Sequence, residues 1–210
     1  MLRIGKRHVL PFLSAVFLLW FGIGATSHFL FNVFDSTGLF CHGTDVADLE
    51  RLRQVNDHSS KVIIFPTNAL CFATGVYLEQ GARYSVTIVE DTPWAANALP
   101  QAHPSGFRTA ELSAWRMVPT FAALPLRRVL FRPWFRVIAR VGAAGISEEF
   151  LGLGPVHISD NEYRGVTEAA VGRDGELFLY VNDAVIGLPW FTDAFYRNNR
   201  GTARIIVTRL

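Results

Sequence analysis

The chain reads as an all-β sandwich behind one apolar N-terminal helix and a short helical stalk. Three observations predict this. From residue 62 onward, short segments of β-branched and aromatic residues recur between Gly, Pro, Asn and Asp, with no long helical pattern between them. Residues 9–34 are almost uninterruptedly apolar. Between the two, Asp45 is placed to cap a short helix over 45–55, with Val46, Leu49 and Leu52 at three-residue spacing opposite Glu50, Arg51 and Arg53. The expected organisation is a cytoplasmic tip and anchor (1–34), a connector with a short helix (35–61) and a single β domain (62–210).

In the first segment only Ser14, Thr26, Ser27, His28 and Asn32 are clearly polar, and none carries a fixed charge. A helix crosses a ~30 Å hydrocarbon layer in about 20 residues, so this stretch is long enough to span a bilayer. A cleaved signal peptide is the first alternative, with Gly22-Ile-Gly24 before Ala25 as its cleavage site, but the apolar run resumes at Phe29 to Phe34. A buried core helix is the second. Arg3, Lys6 and Arg7 precede the span, and Asp35, Asp45, Asp48 and Glu50 follow it. The charge asymmetry therefore puts the N-terminus in the cytoplasm and the domain on the outer side of a single-pass inner-membrane protein, in the periplasm of a two-membrane bacterium. Cys41 and Cys71 would then face an oxidising compartment, where two cysteines commonly pair; a pair of buried free thiols is the alternative.

Strands are expected at 62–65, 75–78, 84–89, 135–141, 164–166, 176–181 and 202–207, the last two as a terminal hairpin. Six prolines make the stretch from Pro93 to Pro133 the least strand-like, with one or two helical turns from Ala110 to Val118. Where the last two strands leave the sheet stand Asp183 and three amides, Asn182, Asn198 and Asn199, with Asp193 in the loop between. Hard cations take six to eight oxygens from such groups, and sugar hydroxyls fit the same chemistry; turn formation alone is the plainer explanation.

The run Phe135-Arg-Val-Ile-Ala-Arg-Val-Gly142, then Pro155-Val-His-Ile158, Tyr163-Arg-Gly-Val166, Gly175-Glu-Leu-Phe-Leu-Tyr-Val-Asn-Asp183 and Asn198-Asn-Arg-Gly201 resembles the calcium-dependent bacterial galactophilic lectins of the PA-I type. Gly81 to Val89 followed by Trp94 resembles their second strand and its tryptophan. The resemblance covers residues 62–210 and implies a jelly-roll-like sandwich with one calcium at the end of the sheet, completed by sugar hydroxyls. It implies Asp183, Asn198 and Asn199 as metal ligands, Asn182 turning the strand end, and His103 of His103-Pro104 as a sugar contact. Loop 184–197 is longer than in those lectins, so the site requires it to return Asn198 to Asp183.

The remaining features argue mostly by exclusion. A net charge of +2 gives no electrostatic footprint for nucleic acid. No nucleophile elbow, phosphate loop or HExxH helix is present, and the six histidines show no ligand spacing, so no enzyme is expected. Glu148 and Glu149 read as loop charges rather than an acid/base pair. Arg127, Arg128, Arg132, Arg136 and Arg140 interleave with apolar residues, a pattern suited to anionic lipid or polysaccharide; the plainer reading is a solvated strand face, with Arg136 and Arg140 outward and Phe135, Val137, Ala139 and Val141 inward on a period of two. Trp190 and Phe191 either cover the sandwich or dock onto a partner or membrane. The functional expectation is a membrane-anchored carbohydrate-binding domain. The alternative is a non-catalytic accessory subunit of a membrane complex, its helix packed against other spans.

Overall fold

Alternation decides the architecture. In β3 (Tyr84–Glu90) the buried residues are Tyr84, Val86 and Ile88, and in β11 (Thr202–Arg209) they are Ala203, Ile205 and Val207, so each strand turns every second side chain to one core. With β1 (Lys61–Pro66), β8 (Val156–Ser159) and β9 (Glu162–Val166) they form an antiparallel sheet ordered β1-β11-β3-β9-β8. Facing it, β2 (Phe72–Leu78), β6 (Val137–Val141), β7 (Glu149–Leu151) and β10 (Gly175–Val181) form a second antiparallel sheet ordered β2-β10-β6-β7. Its inward residues, among them Val76, Val137, Ala139, Leu177, Leu179 and Val181, close the core of the sandwich. The short pair β4 (Trp94–Ala96) and β5 (Leu99–Ala102) lies in the proline-rich stretch where no strand was expected. The computed structural model describes residues 6–43, 61–96, 99–143, 149–151, 156–159, 161–166 and 172–210. The helix expected over 45–55 and Glu148 lie outside them.

The last two strands are not a hairpin. β10 pairs with β2 and β6, whereas β11 pairs with β1 and β3, so the chain between them crosses from one sheet to the other. A two- to five-residue turn makes a hairpin; the much longer connection here can span the sandwich.

The second sheet is covered on both faces. Its outward side chains Ile138, Arg140, Glu176, Phe178 and Tyr180 are as buried as its inward ones, because the apolar helix α1 (Lys6–Ser36) and the segment after it lie over them. Of the expected solvated arginine face, Arg140 is therefore buried and Arg136 half-buried. Arg140 Nη1 donates to Asp35 Oδ2 at 2.7 Å and its Nη2 donates to the Ala143 carbonyl at 2.6 Å. Arg128 Nη2 lies 3.6 Å from the same Asp35 oxygen, its guanidinium carbon 3.6 Å from the Tyr180 ring centroid and 5.0 Å from that of Phe31. Aromatic faces and carbonyls thus share the positive charge with Asp35. Five residues past the end of α1, Cys41 is disulfide-bonded to Cys71, just before β2.

The helix is attached along one stripe. Trp20 Nε1 donates to the Ala122 carbonyl at 2.7 Å, Gly24 abuts Pro125, and Ser27 Oγ accepts the Gly187 N–H at 2.8 Å. His28 Nε2 is 2.9 Å from the Arg128 carbonyl, and Phe31 is buried in the main core. Gly187 is required at its position, since a Cβ there would sit 2.1 Å from the Ser27 carbonyl oxygen. N-terminal to Trp20, the described helix projects free of the domain.

Candidate functional site

β10 ends on Asn182 and Asp183, both buried. The Asn182 amide is structural: Nδ2 donates to the carbonyls of Val129, Arg132 and Pro133 at 3.0, 3.0 and 2.9 Å, and Oδ1 accepts the Val129 N–H at 2.8 Å. It fixes the loop after Arg128. The backbone of Asn182 also clasps its neighbour strand, accepting from Phe135 N at 2.9 Å and donating to the Arg136 carbonyl at 2.8 Å. Phe135 holds φ at 60°, a conformation costly for an aromatic residue, and is buried beside the site.

The long connection does return. Tyr196 is fully buried and its hydroxyl donates to the Val181 carbonyl at 2.7 Å, pinning a 3-10 turn (Tyr196–Asn198) under the end of β10. Burial pushes that phenol up to about 12, keeping it a donor at neutral pH. Arg197 holds Asp193 through two bonds of 2.9 and 2.8 Å, so Asp193 is an exposed brace one helical turn away rather than a member of the site. Asn199 then meets Asp183: its Nδ2 donates to Asp183 Oδ2 at 3.0 Å, while Asp183 Oδ1 accepts the Ala184 N–H at 2.7 Å. Burial raises the Asp183 pKa, and these two hydrogen bonds oppose the rise. Asn199 Oδ1 is buried without a hydrogen-bond partner. The Asn198 Nδ2 lies 3.5 Å from the Ala194 carbonyl.

Asp183, Asn198 and Asn199 line one cleft of ≈ 250 Å³, walled by Phe107, Trp115 and Trp134. Asp183 is the only carboxylate in that lining. Trp115 and Arg116 belong to α2 (Ala114–Ala122), which closes one side and which the sequence placed only as a turn or two. His103 does not line the cleft; its ring stacks on Tyr163 at 6.2 Å and its Nδ1 lies 3.7 Å from Glu90 Oε1. Burial raises the Glu90 pKa to about 7, with His157 opposing. Among the described residues no group of three or more His, Cys, Asp or Glu is placed to hold a metal ion.

No family model matches the chain, and no curated protein matches it. Among solved structures it is similar to a chain described as "EclA N-terminal domain; PllA-like lectin", with a TM-score of 0.40 and 21% identity over 72% of this chain and 95% of that one.

Proposed function

We propose that this protein is a membrane-anchored carbohydrate-binding domain of lectin type, held on the outer face of the inner membrane with its N-terminus in the cytoplasm. The observation that carries the reading is the orphaned Asn199 Oδ1, buried next to the Asp183 carboxylate in an aromatic-walled cleft. A buried acceptor without a donor costs free energy, and a hydroxyl or a cation would satisfy it. Mostly apolar walls with a few converging polar groups are the usual make-up of a small-ligand site. Calcium assistance would rest on Asp183 and the Asn198 and Asn199 carbonyl oxygens. Asp183 now faces N–H donors, so the Asn199 amide would have to present its oxygen instead. The remaining oxygens would come from backbone, water or sugar. Retention of α1 is supported by the contacts of Trp20 and Gly24, which cleavage after Gly24 would remove.

The test is thermal unfolding of the full chain in mild detergent with calcium, with chelator and with galactosides. Calcium at a hundredfold excess over its dissociation constant should add about 2.7 kcal/mol. The expected result is a shift that Asp183→Asn and Asn199→Ala remove, together with glycan binding. Absence of any shift or glycan binding in the intact chain would overturn the reading. An accessory-subunit role is favoured by a separate observation: Phe29 and Val33, on the side of α1 away from the sheet, stay exposed beside the domain. Co-purification with other membrane proteins, lost on Phe29→Ser, would identify that role.

A further inference from the structure

The helix Ala114–Ala122 is amphipathic in the wrong sense for a soluble protein. Its half-buried residues are Arg116 and Thr120, both lining the cleft, whereas Trp115, Met117, Val118 and Phe121 are exposed. None of its residues is buried. Two other segments expose large apolar groups in the same way. Phe131 is 96% exposed on the loop after Arg128, and Trp190 is 81% exposed, with Phe191 beside it, on the loop after Gly187. Such groups scattered singly need no explanation, but three elements carrying them together do.

All three elements are tied to one level of α1. The last residue of α2 accepts the Trp20 indole N–H, Gly187 donates to Ser27, and the Arg128 carbonyl meets His28, with Phe131 bordering the same groove as His28 and Asn32. These attachments fall on helix residues 20 to 28, a rise of roughly 12 Å. Depth can be counted from the other end. Lys6 and Arg7 mark the inner boundary, and about 20 helical residues cross the hydrocarbon, so the outer boundary falls near residue 27. The anchor leaves no spacer between that boundary and the domain.

We infer that α2, Phe131 and the Trp190-Phe191 loop form a collar around α1 that is inserted into the outer interface of the bilayer, so the domain rests on the lipid instead of standing off it. Aromatic side chains are favoured at that depth, and an amphipathic helix with its apolar face outward lies in the interface plane. The inference rests on the anchor reading above, because the depth count requires that α1 spans.

The experiment uses the full chain, disulfide intact, in vesicles of phosphatidylethanolamine and phosphatidylglycerol. An environment-sensitive fluorophore is attached to a single added cysteine in Phe121→Cys, Phe131→Cys and Trp190→Cys, all at exposed positions where the fold is not at risk. Leu18→Cys reports on the free part of the helix and Ile64→Cys on the outer face of the distant sheet. Lipids carrying a quencher near the headgroup should quench the three collar labels several-fold more than the Ile64 label, and a deep quencher should act mainly at Leu18. Deep quenching at Leu18 with collar labels no more quenched than Ile64 would overturn the collar while leaving the anchor standing; that result also covers burial of the patch by a second copy or another protein. Loss of quenching at Leu18 itself would overturn the anchor reading, and the collar with it.

Discussion

Gly22 and Gly24 stand two residues apart on the same apolar helix. A Cβ at Gly22 meets nothing within 4 Å, whereas a Cβ at Gly24 would lie 2.2 Å from the Pro125 Cβ. That contrast holds for the two halves of α1. The first half is exposed from Pro11 to about Trp20; the second lies on the outer face of the second sheet, buries Phe31 and Asp35, and is locked at its end by the Cys41–Cys71 bond. Their apolar content is similar, so hydropathy does not separate a free segment from a structural one. The polar residues do. Between Val9 and Trp20 Ser14 is the one polar residue, while Ser27, His28 and Asp35 in the second half each meet a group from the sandwich, and Asn32 bonds to His28. A helix half with partners for its polar atoms is part of the domain.

The largest effect expected from breaking this contrast is at Asp35. Asp35→Ala leaves the Arg140 and Arg128 guanidiniums buried without their carboxylate, a change that typically costs about 3–5 kcal/mol. For a protein of this size that lowers the melting temperature in mild detergent by roughly 6–20 °C. Ser14→Ala, at an exposed polar residue of the free half, should leave it unchanged. A smaller but sharper pair is the glycines. Gly24→Ala forces Pro125 and α1 apart and should cost about 1–3 kcal/mol by overpacking. Gly22→Ala meets no neighbour, and should be neutral or gain up to about 1 kcal/mol from helix propensity. Equal effects at the two positions in thermal unfolding would mean that α1 does not lie against Pro125 along its Gly24 face.

Much of the sandwich was legible because its strands follow a period of two against a single core, and the segments around 62–65, 84–89, 135–141, 176–181 and 202–207 all became strands. Their partners were not legible. A strand's own sequence carries its faces but not its neighbour, so β10 and β11 looked like a hairpin and are in opposite sheets. The arginine face was right in register and wrong in environment: Arg140 does point away from Val137, Ala139 and Val141, but α1 covers it. Asp35, the residue that explains this, was visible only as an acidic flank of an apolar run. At the candidate site the sequence asked for Asn198 to return to Asp183, and the residue that bonds to it is Asn199, while the wall formed by α2 depends on how a proline-rich stretch packs. His103 lies elsewhere because β5 ends beside Glu90 and Tyr163, on two inner strands of the first sheet.

The account's central claim is that residues 24–36 belong to the fold of the domain. The most direct measurement compares the thermal unfolding of a chain starting at Gly24 with one starting at Thr37, both in mild detergent and with the disulfide formed. The first should unfold cooperatively near the temperature of the intact protein. The second, with Arg140, Phe178 and Tyr180 uncovered, should lose at least the ~3–5 kcal/mol of the broken charge cluster or fail to fold. Equal melting temperatures for the two chains would contradict the claim and make the whole of α1 an anchor with no part in the fold.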